Sequence, residues 1–270
     1  MKKLLLILLL FLNALAVFAG NDHVPVGARA AALSNASVCL SDAWSLHNNV
    51  SGIASLEKPE IGVFAENRFG MKAFTTVALT GVMQLGKSGG IGAELYRFGD
   101  KLYNEQRLGI GYAHKIGQVS LGLKADLLQV HVEEFGSKRV VAFSFGGQSQ
   151  VVPGLFFGAH IYNFNQVKLA EFEDERVPTV MNAGISYRPG KKVMLNIETE
   201  KDIELDADFK AGLEYQVIEK LALRTGFSTL TQSVSFGVGF AARSFQIDYA
   251  LTSQSRLGFS NHVSVGYKFE

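Results

Sequence analysis

The stretch that decides the fold reads Val119-Ser-Leu-Gly-Leu-Lys-Ala-Asp-Leu127. Its apolar side chains alternate with serine, glycine or a charged side chain. A period of two places successive side chains on opposite faces of a β-strand. This stretch therefore predicts a strand with one apolar face and one polar face.

The same alternation recurs along the chain after residue 58, in about fourteen segments of roughly the length that a tilted membrane strand needs. They centre on Val63, Ala78, Leu95, Ile110, Leu123, Phe143, Ala159, Ala183, Leu195, Leu213, Leu223, Phe236, Ile247 and Val265. Short connections alternate with longer polar ones, such as residues 133–138, 165–178 and 253–261. Short turns at one rim and long loops at the other are typical of an outer-membrane barrel. We predict an all-β fold, a transmembrane antiparallel β-barrel of about fourteen strands over residues 58–270.

Two alternatives to this interpretation are a soluble β-fold for the whole chain and a membrane helix for one uncharged stretch. A soluble β-sandwich or lipocalin-like barrel would need a second sheet, or a filled interior, to cover so many large apolar side chains, whereas lipid covers them in a membrane barrel. Residues 140–167 carry no charged side chain and are long enough for a membrane helix. Pro153-Gly154 at their centre is a turn signal, which favours a β-hairpin.

The polar face of the predicted strands includes a set of charged side chains that would point into the lumen. They are Lys124, Asp126, Glu198, Lys210, Glu214, Arg224 and Asp248. Opposite charges on neighbouring strands can pair across the sheet. We expect a network that holds the wall and the N-terminal segment in register; the alternative is the lining of a polar conduit.

The N-terminus has the features of a secretory signal peptide. Two lysines precede an apolar run, and Val17-Phe-Ala-Gly20 has the small residues of a cleavage site after Ala19. Residues 1–19 are thus predicted to be removed during export, and the mature chain to reside in the outer membrane in contact with its lipid. The single cysteine, Cys39, cannot form an internal disulfide.

Residues 20–57 precede the strands and do not alternate. They contain Gly27-Ala-Arg-Ala-Ala-Ala-Leu33 and, further on, Asn49-Val-Ser-Gly-Ile53. This segment resembles the N-terminal region of the FadL/PorV superfamily of outer-membrane barrels, in which an Asn-Pro-Ala-Gly-Leu element leads into the first strand. Asn49 and Gly52 match that element, whereas Val50 replaces its proline. The resemblance implies a fourteen-stranded barrel whose lumen is plugged by the N-terminal segment.

Physical reasoning also favours a plug, because a barrel of this size has a lumen too wide for its own side chains to fill. The small residues of the segment would allow close approach to the wall. Asn49 and Gly52 suit a tight turn before the first strand, since asparagine can bond its own backbone and glycine permits close contact. The alternative is a flexible periplasmic lead.

The resemblance implies two functions. The preferred one is a PorV/PorQ-like accessory barrel that assists protein export or surface attachment, as in type IX secretion, with exported proteins or secretion components as partners. The alternative is a FadL-like channel for a hydrophobic small molecule, which would bind in an apolar pocket between plug and loops. Candidate loop contacts for a ligand or partner are Phe135, Leu169, Phe172, Leu230, Leu257 and Phe259.

The sequence provides no motif for catalysis. None of the six histidines has the spacing of a metal site, and there is no cysteine pair. We therefore predict no enzymatic activity, no cofactor and no metal; a hydrolase assembled from separate strands is the least favoured hypothesis. A net charge of +1 gives no reason to expect nucleic acid as a partner.

Overall fold

The computed structural model describes residues 23–169 and 176–270. The predicted signal peptide and Phe172 lie outside these residues. Within them, fourteen antiparallel strands form one closed barrel, in which each strand pairs with its neighbours in the chain and the first pairs with the last. The strands are β1 (Glu60–Asn67), β2 (Thr75–Leu85), β3 (Gly89–Gly99), β4 (Tyr103–Ile116), β5 (Val119–Val132), β6 (Gly136–Val152), β7 (Leu155–Tyr162), β8 (Val180–Tyr187), β9 (Val193–Asp202), β10 (Asp208–Ile218), β11 (Leu221–Ser228), β12 (Ser233–Ala242), β13 (Phe245–Gln254) and β14 (Gly258–Lys268). Each predicted strand centre lies in a strand, so the predicted fold class is confirmed.

The two faces of the barrel are reversed relative to a soluble protein. On β5, Leu121 and Leu123 are 43% and 51% exposed, whereas Lys124 is 2% exposed. The register aligns outward-facing apolar side chains into continuous rows, one of which runs through Leu79, Leu95, Leu108, Leu127 and Val141. An apolar outer face around a polar interior is stable only where lipid covers it. The soluble alternatives are therefore excluded.

The uncharged residues 140–167 form a hairpin and not a helix. Residues 140–162 fall in β6 and β7, which the turn at Pro153 and Gly154 connects, with a positive φ of 80° at Gly154. A φ in this region favours glycine because it has no Cβ. Among the described residues, the helices are all too short or too polar to cross a membrane.

The connections differ between the two rims, although less than the sequence predicts. One rim has short turns, such as residues 117–118 and 243–244, and both ends of the barrel meet there, where the Phe269 N–H donates to the Pro59 carbonyl. The other rim carries one long connection, residues 163–179. The expected loops at 133–138 and 253–261 are reduced to turns at residues 133–135 and 255–257, because β5, β6, β13 and β14 continue their pairing almost to the hairpin tips.

The N-terminal segment contains two short α-helices, α1 (Ala28–Ala32) and α2 (Ser45–Asn48), and a 3-10 helix (Val50–Ser55). A second 3-10 helix (Lys72–Phe74) lies between β1 and β2. Helix α1 contacts β11–β14, and the first 3-10 helix contacts β2–β6 on the other side of the barrel. Residues 26–53 are almost entirely buried. The segment therefore packs against inward-facing residues on opposite walls.

Arginine at the outward-facing Leu123 should destabilise the folded barrel by about 2–4 kcal/mol, because the charge would lie in the hydrocarbon region of the membrane. The matched control is Val119→Arg, on the same face of β5 at its short-turn end, where the cost should be about 0–1 kcal/mol. Urea titration of the protein folded into lipid vesicles measures both. An equal loss of stability in both variants would contradict the placement of Leu123 in the hydrocarbon region.

Candidate functional site

Inward-facing glycines make room for the N-terminal segment against the barrel wall. A Cβ added to Gly122 would lie 2.9 Å from the Ser51 nitrogen, and one added to Gly111 would lie 2.7 Å from a methyl of Leu46. A Cβ at Gly146 would collide with the Asn49 side-chain oxygen. The same holds for Gly90, Gly158, Gly212, Gly226 and Gly237, each of which faces an atom of the segment. Any larger residue at these positions would displace the segment.

Asn49 joins two parts of the segment to the wall. Its Nδ2 donates to the carbonyls of Val38 (2.7 Å) and Gly147 (3.3 Å), and its Oδ1 accepts from the Ser51 backbone N–H (3.2 Å) and hydroxyl. Gly52 follows with an ordinary negative φ, and an added Cβ there would lie 2.7 Å from the Leu40 carbonyl oxygen. The turn needs glycine for close approach and not for a left-handed backbone.

A chain of ion pairs joins the segment to three strands. Arg29 of α1 makes two hydrogen bonds to the Glu214 carboxylate, each 2.8 Å long, and pairs with Asp42 at 3.3 Å. Glu214 pairs with Arg224 directly opposite on the neighbouring strand, at 2.6 Å. Arg224 continues to Asp248 at 2.6 Å. Paired guanidinium and carboxylate groups of this geometry are the strong form of charged hydrogen bond.

A second group of charges lies on the opposite wall. Lys124 pairs with Glu94 at 2.5 Å and with Asp126 at 2.9 Å, and all three are at most 4% exposed. Glu94 also pairs with His47 of helix α2 at 3.0 Å. The sequence indicated Lys124 and Asp126 but not Glu94 or His47. Removing one partner from such a buried group would leave an uncompensated charge.

Of the remaining predicted lumen charges, Glu198 contacts the backbone of the segment and Lys210 pairs with Glu200 of β9. Glu198 accepts a hydrogen bond from the Val38 backbone N–H at 2.8 Å, and Asn196 donates to the Ala36 carbonyl at 2.8 Å. Lys210 pairs with Glu200 at 2.7 Å. The wall thus supplies partners for backbone groups of the segment that no helix or strand satisfies.

Cys39 packs between the segment and β8. Its sulfur lies 3.4 Å from the Gly184 carbonyl oxygen, and burial raises the pKa of the thiol to about 12. A protonated, buried thiol is a poor nucleophile and a poor metal ligand. Cys39 is therefore a packing residue.

His23 lies where the segment meets the loop-side half of the lumen. Its ring stacks on Tyr162 at 3.9 Å and on His47 at 4.8 Å between ring centroids. Arg107 lies 3.1 Å from the His23 Nδ1 and 4.9 Å from the Tyr96 ring. Stacking and cation–π contacts hold this end of the segment in place.

A cavity of about 680 Å³ lies above the segment, on the loop side. Phe69, Leu205, Leu230 and Leu257 reach it from four different connections, and Val24 and Pro25 of the segment line its base. The rest of the lining is polar: it has charged groups, among them Glu66, Arg68, Glu200, Asp202, Asp208, Lys210 and Arg256, and the hydroxyl groups of Ser34, Ser228, Thr231, Ser233, Ser235, Thr252, Ser255 and Ser260. The expected pocket is present, but its lining is mixed where the sequence predicted an apolar one.

The candidate loop contacts are separated by the fold. Leu230 and Leu257 line the cavity. Phe135 is 89% exposed at the tip of the β5–β6 hairpin, and Phe259 is 58% exposed on the outward face of β14. Leu169 is buried with Leu128, Tyr162 and Val177 under the long connection. Within residues 23–169 and 176–270, no cluster of His, Cys, Asp or Glu is arranged to hold a metal ion.

Solved structures with a similar fold are outer-membrane channels. The CymD monoaromatic hydrocarbon channel matches with a TM-score of 0.74 and 11% identity, over 93% of this chain and 99% of that chain. The Pseudomonas putida toluene transporter TodX matches at 0.68 and 12%, over 92% and 100%. A Pseudomonas aeruginosa FadL homologue matches at 0.69 and 10%, over 93% and 100%.

The fold is that of the FadL-type channels. The barrel is therefore an outer-membrane protein that crosses the bilayer with every strand. No protein-family model and no curated protein matches the sequence.

We predict that Gly146→Ala displaces the segment, because the new methyl group occupies the position of the Asn49 amide oxygen. Arg29 carries the only trypsin site between residues 23 and 57, and in the folded protein it is only partly exposed and is paired with Glu214 and Asp42. Cleavage after Arg29 should therefore be faster in this variant than in the parent. The matched control is Gly147→Ala, whose methyl group points outward towards the flexible Leu121 side chain. If both variants resist trypsin equally, the contact between Asn49 and the wall does not hold the segment.

Proposed function

We propose that the protein is a passive outer-membrane channel for a hydrophobic small molecule, with the loop-side cavity as its binding site. The observation that carries this proposal is the convergence of apolar side chains from four connections and from the N-terminal segment on one cavity. Clefts with apolar lining and a few directed polar groups are typical of small-molecule sites. The fold shared with hydrocarbon channels supports the same function.

The polar wall of the cavity adds a requirement on the ligand. Ser34, Ser235 and Thr252 are joined through their hydroxyl groups at 3.0 Å, and Asp208 accepts from Ser228 at 2.7 Å. A ligand without hydrogen-bonding groups would displace water from these polar groups without replacing its hydrogen bonds. The cavity thus favours a molecule with an apolar body and at least one polar group.

In this proposal residues 20–57 are the plug and residues 58–270 the channel wall. The contacts of Arg29, His47 and Asn49 hold the described part of the segment in a closed position. A ligand in the cavity contacts the segment at residues that include Val24, Pro25 and Ser34. Passage to the periplasm then requires a shift of the segment away from one wall.

The PorV/PorQ-like export role is the second candidate function. One observation favours it: Phe135 is 89% exposed on a projecting hairpin, where an apolar side chain stabilises no part of this chain. Exposed aromatic residues are common contacts in protein interfaces. This role stays a prediction. Substitution of Phe135 tests it separately from the channel function.

The test compares variants in cells exposed to N-phenyl-1-naphthylamine, an apolar aromatic amine whose fluorescence reports entry. Leu230→Ser combined with Leu257→Ser should slow its uptake by roughly fivefold or more, since each leucine contributes about 1 kcal/mol when partly buried against a ligand. Phe135→Ser is the matched control, because its side chain lies away from the cavity. Uptake that is unchanged in the double variant would contradict the proposed channel. Loss of exported proteins from the cell surface with Phe135→Ser alone would favour the export role.

A further inference from the structure

His23 packs against basic and aromatic side chains of both the segment and the wall. It is buried, and its ring stacks on Tyr162 of β7 and on His47 of helix α2. The ring of His160, also on β7, lies 6.2 Å away between centroids, and the Arg107 Nη1 of β4 lies 3.1 Å from the His23 Nδ1. Among the described residues, no carboxylate lies within ion-pair distance of the His23 ring.

The contact with Arg107 determines the protonation state of His23 in this position. A guanidinium group can only donate hydrogen bonds, so the His23 Nδ1 accepts here and carries no proton. Arg107 is itself held in place, because it pairs with Glu105 at 3.2 Å and lies over the rings of Tyr96 and Tyr162. A protonated His23 would direct an N–H towards this cation. The docked ring is therefore neutral.

Charged and titratable groups from five elements surround His23. They are His47 of α2, Glu94 and Tyr96 of β3, Glu105 and Arg107 of β4, Lys124 and Asp126 of β5, and His160 and Tyr162 of β7. The carboxylates among them already pair with Lys124, His47 or Arg107. Burial and the nearby His47 and Arg107 hold the pKa of His23 well below its ordinary value. Within the described part of the chain, no acidic group is placed to stabilise a proton on the docked ring.

The end of the segment can move without the rest of it. His23, Val24 and Pro25, which we name the latch, line the loop-side cavity, so protons from the medium reach His23. The hydrogen bond from Arg107 is the only one that joins the latch to a described residue of the wall. The next residue, Val26, is fixed, since its backbone N–H and carbonyl both bond the Asn48 side chain, at 2.8 and 2.9 Å.

We propose that the latch is docked while His23 is neutral and leaves the wall when an acidic medium protonates the ring. A free histidine titrates at about pH 6.5, and the docked ring holds its proton less tightly. Docking is therefore strongest above about pH 6.5 and weakens as the pH falls below that value. Release extends the cavity towards β4 and β7. It does not depend on what the channel carries.

The experiment follows the mobility of the latch with a nitroxide spin label. Val24→Cys in a Cys39→Ser background places the label in the cavity, where there is room for it. The mature chain is reconstituted in phosphatidylcholine vesicles, and its electron paramagnetic resonance spectrum separates an immobile, docked fraction from a mobile one. The ratio of mobile to immobile label should rise about tenfold between about pH 7.5 and about pH 5.5.

The decisive variant is His23→Gln, which should make the label equally immobile at both pH values. The glutamine side-chain oxygen can accept the hydrogen bond from Arg107 and does not titrate. The matched control is His131→Gln, which removes a histidine bonded to Ser137 at the loop-side end of β5 and should keep the response. Asp22→Asn, which removes the acid that precedes His23 in the sequence, should keep it too.

Heat-modifiable migration on gels shows that each variant is folded; if His23→Gln is not, His23→Asn is measured in its place. Equal label mobility at both pH values in the parent would overturn the proposal. So would a response that persists without His23, or one that disappears with Asp22→Asn, because another group would then be the sensor. The label reports no transport, so a failure of the proposed channel function would appear in the uptake assay and leave this result unchanged.

Discussion

The rest of the structure depends on one constraint: in hydrocarbon, every backbone N–H and C=O must find its partner within the protein. Fourteen strands meet this requirement by closing on themselves, with β1 paired to β14 over residues Glu60–Asn67. Closure at this strand number creates a lumen that the wall's own side chains cannot fill. The N-terminal segment lies in that space, and its backbone groups then need partners of their own.

The inner wall meets the needs of the segment in two ways. Glycines at inward positions, such as Gly122 and Gly146, let the segment backbone come within van der Waals distance. Charged and amide side chains, such as Glu198 and Asn196, supply hydrogen bonds to it. Alternation with period two explains why both features are compatible with a lipid-covered outer face: the residues that contact lipid and those that contact the segment never share a position. This arrangement also places charged side chains in the interior, where they are stable only while paired.

The sequence predicts the barrel well because its signal is local. Alternation within each strand identifies the inward and outward faces, and the pairing of Glu214 with Arg224 follows from hairpin register. The partners contributed by the segment could not be predicted, since Arg29 and Glu214 are 185 residues apart and no periodicity relates them. The same applies to His47 with Glu94.

The positions of the loop residues were harder to predict from the sequence. Phe135, Leu230 and Phe259 all follow polar stretches, yet they lie on a hairpin tip, a cavity wall and a lipid-facing strand. Their positions depend on how far each hairpin continues its pairing, which turn residues alone do not determine. In the sequence, the hydroxyl-bearing residues of the cavity are recognisable only as the polar positions of alternating strands. Their convergence from four strands depends on closure of the barrel, which the alternation alone does not show.

We propose that the N-terminal segment closes an otherwise open channel. The most direct measurement is ion conductance in planar bilayers for the intact mature chain and for a variant that lacks residues 24–50. The variant retains every barrel strand and the wall ion pairs between Glu214, Arg224 and Asp248. We expect the intact protein to conduct little. The variant, once heat-modifiable migration on gels has shown that it is folded, should form steady open channels. An intact protein that is already an open pore of high conductance would show that the segment is not a plug and that the barrel is a general porin.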